Sequence, residues 1–206
     1  MNKVGLLGGT GALGLGLALR LSRRNEVRIG SRSPARAMAA AAKIPGVRGG
    51  SNMDVAVWCE AAILTVPFDA VESLNAFASL LSDKLVLSAV NPLRFEGSVI
   101  QYALRDRSAA ELAASALPRS RVATAFNNIP AAFFRGHQTQ ADVLVAADSE
   151  KTYEEAATLI ATIGGLRPLY VGPLSQAQSV ERLTAIILSA AALAGGPRLT
   201  VRFVPA

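Results

Sequence analysis

A chain of 206 residues, 51% hydrophobic and 17% charged, carries enough apolar surface to bury a core, which excludes a disordered chain and suits one domain with an appendage. Its single cysteine, Cys59, excludes an intrachain disulfide and fits a reducing, cytoplasmic setting, where it packs rather than reacts. The net charge of +6 comes from scattered lysines and arginines with no basic helix interleaved with aromatics, so it points to a small polyanionic ligand rather than to nucleic acid.

Residues 4–14 (VGLLGGTGALG) read as a buried strand, a tight glycine turn and the start of a helix. Gly9, Gly11 and Gly14 have the G-x-G-x-x-G spacing of a dinucleotide fingerprint. In that motif the first glycine permits the sharp turn, the second leaves room for a pyrophosphate, and the third lets the helix pack on the strand. The helix N-terminus then presents free N–H groups to the anion. Arg20, Arg23 and Arg24 close the apolar run, which fits a strand, turn and helix better than a signal peptide. A second strand, residues 26–30, ends at Ser31 and Arg32, with Arg36 a turn further on. An NAD site wants an acid there for the ribose 2′-hydroxyl, whereas a serine and a guanidinium suit a 2′-phosphate, so the site reads as NADP. The competing reading is of solvated arginines at a helix start.

The Ala-rich residues 37–42 suit a helix ended near Pro45 and Gly46, and residues 53–60 a short second one. Residues 61–66 read as a third, buried strand that stops at Pro67, and its end places Thr65, Val66 and Pro67 as candidates to line the cofactor. Val71, Leu74, Phe77, Leu80 and Leu81 recur at a helical period, which predicts a helix over 69–82. The fourth strand, 84–89, leads to Asn91 and Pro92; residues 94–107 are of mixed polarity with no assigned element. Ser108 and Glu111 have capping-box spacing for a helix over 108–117. The fifth strand, 121–126, runs into Asn127, Asn128, Ile129 and Pro130.

This alternation predicts an α/β fold, a Rossmann-type doubly wound parallel sheet. Residues 1–130 form an NADP-binding domain and residues 131–206 a smaller α/β portion that completes the substrate pocket, packed as one unit. That portion reads as a strand at 142–146, a helix at 150–163, a strand at 167–171 and a long helix at 175–194 ahead of apolar residues 199–204. The apolar run 183–194 is too short for a bilayer span, so no membrane association is expected. No metal-ligand spacing, Ser-His-Asp set or paired carboxylates occur, and the one histidine, His137, falls in a polar loop with a surface role.

The chain resembles, nearly end to end, the NADPH-dependent reductases of the deazaflavin coenzyme F420. The resemblance rests on LLGGTGALGLG at 6–16, IGSR at 29–32, NNIPAA at 127–132 and above all GLRPLYVGPLS at 165–175. It implies that Thr10, Gly11, Ala12 and Leu13 cradle the pyrophosphate and that Ser31, Arg32 and Arg36 hold the 2′-phosphate. It further implies that F420 lies against the nicotinamide near Asn91, Pro92, Asn127 and Ile129, that hydride passes between them by positioning alone, and that the protein is a homodimer. Family members often carry a histidine where this chain has Asn127. On the residues alone, an NADPH reductase of a flavin, ferric chelate, small carbonyl or imine, or a non-catalytic NADPH-binding module, stays open.

Overall fold

Short apolar runs alternate with amphipathic segments along the chain, and in the computed structural model, which describes residues 2–136, 140–196 and 199–204, each run becomes a strand. The first half contains β1 (Lys3–Leu7), α1 (Ala12–Leu21), β2 (Glu26–Ser31), α2 (Pro34–Ala41), β3 (Arg48–Ser51), α3 (Asn52–Trp58), β4 (Ala61–Leu64) and β5 (Leu85–Ser88). There follow β6 (Leu93–Glu96), β7 (Val99–Tyr102), α4 (Ala109–Ala116), β8 (Arg121–Thr124), β9 (Ala141–Ala146), α5 (Glu150–Ala161), β10 (Leu166–Gly172) and α6 (Ala177–Leu193).

Six strands form one sheet in the order β3-β2-β1-β4-β5-β8, parallel at every pairing. This is the doubly wound Rossmann order, and it reverses between β1 and β4, which opens a crevice at their carboxyl ends. A parallel sheet covered on both faces needs strands apolar on both faces. Val4, Leu6, Ile63, Leu64, Leu85 and Leu87 are accordingly inaccessible to solvent. On one face they meet Leu17, Leu21, Ala37, Leu159 and Ile160 of α1, α2 and α5. The other face is covered by Val55, Ala109, Ala113 and Ala177 of α3, α4 and α6. β9 and β10 pair in parallel as a second sheet, and Ala147 bridges antiparallel to Ala123 beside β8. Val143 and Val145 join the first apolar cluster and Ala146 the second, so β9 is packed into the cores of the main sheet.

Three elements differ from the sequence reading. Residues 69–82 do not form an α-helix; they wind as short 3-10 segments, Phe68–Ala70 and Glu72–Phe77. Ser73 Oγ donates to the Ala70 carbonyl at 2.7 Å, the local side-chain bond by which Ser disfavours a regular helix, while Val71, Leu74 and Leu81 still reach the core. β3 was not anticipated because its sequence, RGGS, has no apolar period; Gly49 is required there since a Cβ would collide with the Ala37 backbone of α2. Within 94–107 the structure has the antiparallel hairpin of β6 and β7, joined by Gly97 and Ser98 with Gly97 at φ +62°.

The predicted capping box opens α4: Ser108 Oγ accepts from Glu111 N–H at 3.0 Å, and Glu111 Oε2 accepts from Ser108 N–H at 2.8 Å. A second acid reaches the same helix end from α6. Glu181, fully buried, accepts from the N–H groups of Ala109 (2.9 Å) and Ala110 (3.1 Å) and from the Tyr102 hydroxyl of β7 (2.7 Å). One carboxyl group thus fixes α6 to α4 and to the hairpin. Burial pushes it up to about 7 from an ordinary 4.5, against the three hydrogen bonds, which favour the charged form. A carboxyl group raised on folding stabilises the fold while protonated; this contribution is complete below about pH 4.5 and lost as pH rises through about 7. The urea-unfolding free energy should therefore fall by up to about 3 kcal/mol between pH 5 and 8 on account of this group, and Glu181→Gln should remove most of that fall. Equal pH slopes for both proteins would contradict the assignment.

Candidate active site

The strand-turn-helix at the amino terminus shapes the crevice. The left-handed turn residue is Gly8, at φ +75°, and not Gly9, to which the sequence reading gave the sharp turn. Gly9 is glycine for packing: a Cβ would lie 2.7 Å from Leu6 Cβ, while its N–H donates to the carbonyls of Leu6 and Gly30. A Cβ on Gly14 would sit within 2.5 Å of Gly9 Cα, so α1 rests directly on the turn. Around Gly11, by contrast, a Cβ would meet nothing within 4 Å. No packing of this chain requires that glycine; the space beside it is open to a ligand. Gly11 is also the N-cap of α1 and no side chain caps it, which leaves amides of the first turn for an anion.

A cavity of about 490 Å³ lies against this turn, lined by Thr10 and Gly11, by Ser31, Arg32 and Arg36, and by Thr65, Val66 and Pro67. The sequence-predicted cofactor residues of three different strand ends thus share one wall. Gly9 and Gly14 are buried behind it, and Ala12 is exposed at its rim and does not line it. Ser31 Oγ accepts from Ser33 N–H at 3.2 Å, so its own hydrogen is left to donate. Thr65 ties β4 to β1, its N–H and hydroxyl both donating to the Leu7 carbonyl at 2.9 and 3.1 Å. The two 3-10 segments also line it, through Ala70, Ser73, Leu74, Ala76 and Phe77. The charged side chains on this cavity are Arg32 and Arg36, with no acid to neutralise them.

Asn52 also lines this cavity and sequence reasoning missed it. Its Oδ1 accepts from Gly8 N–H at 3.1 Å, and Gly30 is glycine because a Cβ would lie 2.6 Å from that oxygen. The available signal was the capping box of Ser51 and Asp54, which marks Asn52 as the first residue of a helix at the strand ends.

A second cavity, of about 170 Å³, adjoins the first turn of α1 through Leu13. Asn91, Asn127 and Ile129 line it, as do Phe126 and Thr184, Ile187 and Leu188 of α6. Pro92 does not: it is buried, and its carbonyl accepts from Ala103 N–H at 2.8 Å. Asn127 lies on the wall with its side chain already engaged. Its Oδ1 accepts from Thr124, and its Nδ2 donates to the Val90 carbonyl (3.0 Å) and to Asn91 Oδ1 (3.3 Å). Asn128 is engaged likewise, donating to the Asp142 carbonyl at 2.7 Å. Phe126, next to these two asparagines, lies in the left-handed region at φ +68°, a conformation that costs a bulky residue about 1–2 kcal/mol and persists only where its surroundings enforce it. Arg20, buried on α1, donates to the carbonyls of Phe134 and Gly136 at 2.8 Å each and fixes the segment after Pro130 over the cavity.

Among the described residues lining the second cavity none is titratable. Cys59 is buried behind Gly5 and burial pushes its thiol up, so it has no part in the site. His137 lies outside the described residues. Among those described, no cluster of three or more His, Cys, Asp or Glu could hold a metal ion, and no helix is long and apolar enough to cross a membrane.

Comparison with known proteins identifies the family. Residues 3–92 match the family model of the coenzyme F420-dependent NADP oxidoreductases. The chain is 37% identical to the F420-dependent NADP reductase of Methanothermobacter marburgensis, over 91% of each chain. It is 36% identical to that of Methanothermobacter thermautotrophicus, over 91% of this chain and 88% of the relative. The crystal structure of a candidate F420-dependent NADP reductase from Arthrobacter sp. FB24 superposes with a TM-score of 0.88 at 23% identity, covering 100% of both chains. With a Rossmann sheet, a glycine turn open to an anion and this identity along nearly its whole length, the chain belongs to the family of F420-dependent NADP reductases.

Proposed function

We propose that this protein transfers a hydride between NADP(H) and the deazaflavin coenzyme F420, with residues 1–130 as the NADP-binding domain and 131–206 as the smaller portion that completes the acceptor pocket. One observation carries the reading. The two cavities are lined by residues two apart at the start of α1, Gly11 for the first and Leu13 for the second, and the second is walled by apolar side chains and amides without an acid or base among the described residues. Such a wall can stack a flat ring and hydrogen-bond its edge, and it has nothing with which to exchange a proton. That suits a reaction in which the protein's contribution is placement.

When bound, NADPH offers hydride from C4 of the nicotinamide and F420 accepts it at a ring carbon, C5; the proton that completes reduced F420 comes from water. The protein's own residues hold and orient. Thr10, Gly11, Ala12 and Leu13 present first-turn amides to the pyrophosphate, with Gly9 and Gly14 shaping the turn beneath them. Ser31, Arg32 and Arg36 hold the 2′-phosphate, and Thr65, Val66 and Pro67 flank the dinucleotide as it crosses the strand ends. Ile129 and Asn91 face the acceptor, and Leu13 closes the apolar wall against water. Asn127 lies on this wall with its amide already bonded to Thr124, Val90 and Asn91, so it holds Asn91 in place beside the ring. The same reading makes the protein a cytoplasmic homodimer with no nucleic-acid partner; exposed Phe95, Val99, Ile186 and Leu193 on β6, β7 and α6 offer apolar surface for a second copy to cover.

Purified protein should oxidise NADPH with F420 much faster than with free flavin or ferric chelates. Turnover with flavin or ferric chelate alone would contradict the acceptor assignment. Replacing Arg32 by Ala should weaken NADPH binding by about 1.5–3 kcal/mol, the scale of hydrogen bonds to a charged group, and leave NADH binding nearly unchanged. Isothermal titration with both dinucleotides checks this, and equal losses for the two would remove the 2′-phosphate from Ser31 and Arg32.

A further inference from the structure

Residues 199–204 run beside β9 as an extended strap, with Leu199 on the wall of the second cavity. Little apolar burial holds this strap down, since Phe203 is 54% and Val204 75% exposed. Polar bonds hold it, and two of them meet on one residue. Asp142 N–H donates to the Val201 carbonyl at 3.1 Å, and Asp142 Oδ2 accepts from Phe203 N–H at 2.6 Å. Arg167 of β10 clamps the same carboxylate through two 2.7 Å bonds and donates onward to the Phe203 carbonyl at 2.6 Å. Asp142 is 1% exposed, and the guanidinium beside it holds its carboxyl below the ordinary range, so the clamp stays ionised. On the cavity side, Thr200 Oγ1 donates to the Asn128 carbonyl at 3.3 Å, while Asn128 Nδ2 donates to the Asp142 carbonyl. The latch and the wall of the cavity therefore belong to one hydrogen-bonded unit, at 142, 167, 128 and 200.

We infer that the Asp142–Arg167 pair is a positioning latch for the acceptor site: by pinning the strap it sets Leu199 as the side of the second cavity that packs on the acceptor ring. The inference rests on the acceptor reading given above. Leu199 is 37% exposed, which leaves apolar surface for a bound ring to cover. Asp142 touches neither cavity and acts only through the strap.

The test is steady-state kinetics with NADPH and F420 on Leu199→Ala, Leu199→Met, Asp142→Asn, Arg167→Met and the double variant Leu199→Ala/Asp142→Asn. Leu199→Ala should raise the KM for F420 about five- to tenfold while the KM for NADPH stays within about twofold, and Leu199→Met should restore it. Asp142→Asn should show the same one-sided rise, and Arg167→Met should show it too, which keeps the latch testable if the aspartate variant folds poorly. If Asp142 acts through Leu199, the double variant is no worse than the more affected single one. An unchanged KM for F420 in Leu199→Ala, effects that multiply in the double variant, or equal rises for both substrates in the latch variants would each overturn the inference while wild-type turnover leaves the acceptor reading standing. A wild-type protein that does not turn over F420 overturns that reading and this one with it.

Discussion

The contact of α1 with the glycine turn is the constraint from which the rest of the site follows. A side chain on Gly14 would collide with Gly9, and a side chain on Gly9 with Leu6, so the helix can begin only as close to β1 as two hydrogens allow. This closeness places the uncapped amides of α1 at the point where the strand order reverses, between β1 and β4, which is where an open parallel sheet leaves room for a ligand. Asn52 then locks the turn from the far side through Gly8 N–H, and Gly30 yields the space for it. The opening beside Gly11 exists because every neighbouring glycine is used for packing and this one is not.

The second cavity is built on a different principle. Here polar side chains are consumed by the scaffold so that apolar ones can form the wall. Asn127 and Asn128 bond their amides to Val90, just past β5, and to β9, Arg20 bonds its guanidinium to the backbone after Phe133, and Glu181 bonds its carboxyl group to α4 and Tyr102. Each of these groups is buried and would be costly to leave unpaired, so each specifies one arrangement of the elements around the cavity. Leu13, Ile129, Ile187 and Leu188 supply apolar wall beside the engaged amides. The strap at 199–204 repeats the pattern, held by Asp142 and presenting Leu199.

The sheet was legible in the sequence because buried parallel strands need unbroken apolar runs, and β1, β4, β5 and β9 carry them. The glycine spacing located the first cavity, and the capping boxes are local patterns that can be read without tertiary information. What failed to be legible is set by contacts distant in sequence. β3 is a strand only because α2 packs tightly on its glycine, whereas the 3-10 winding after Phe68 goes with a local bond, from the Ser73 hydroxyl to the Ala70 carbonyl, that competes with an otherwise helical period. The hairpin turn at Gly97 and Ser98 carried a signal that the surrounding charges obscured. Asn127 illustrates the limit for the site: its position at a strand end was right for the cavity, while the engagement of its amide by Thr124, Val90 and Asn91 depends on partners that only folding brings together.

Placement without an acid or base of the protein is the central claim, and the fate of the transferred hydride tests it most directly. In a single turnover with NADPH carrying deuterium at the transferred C4 position, in ordinary water, mass spectrometry of reduced F420 should find the deuterium on C5 without loss to solvent. Hydrogen from water at C5, with the label washed out, would contradict direct transfer between the two cavities and would require a proton-carrying group that the wall of the second cavity does not contain.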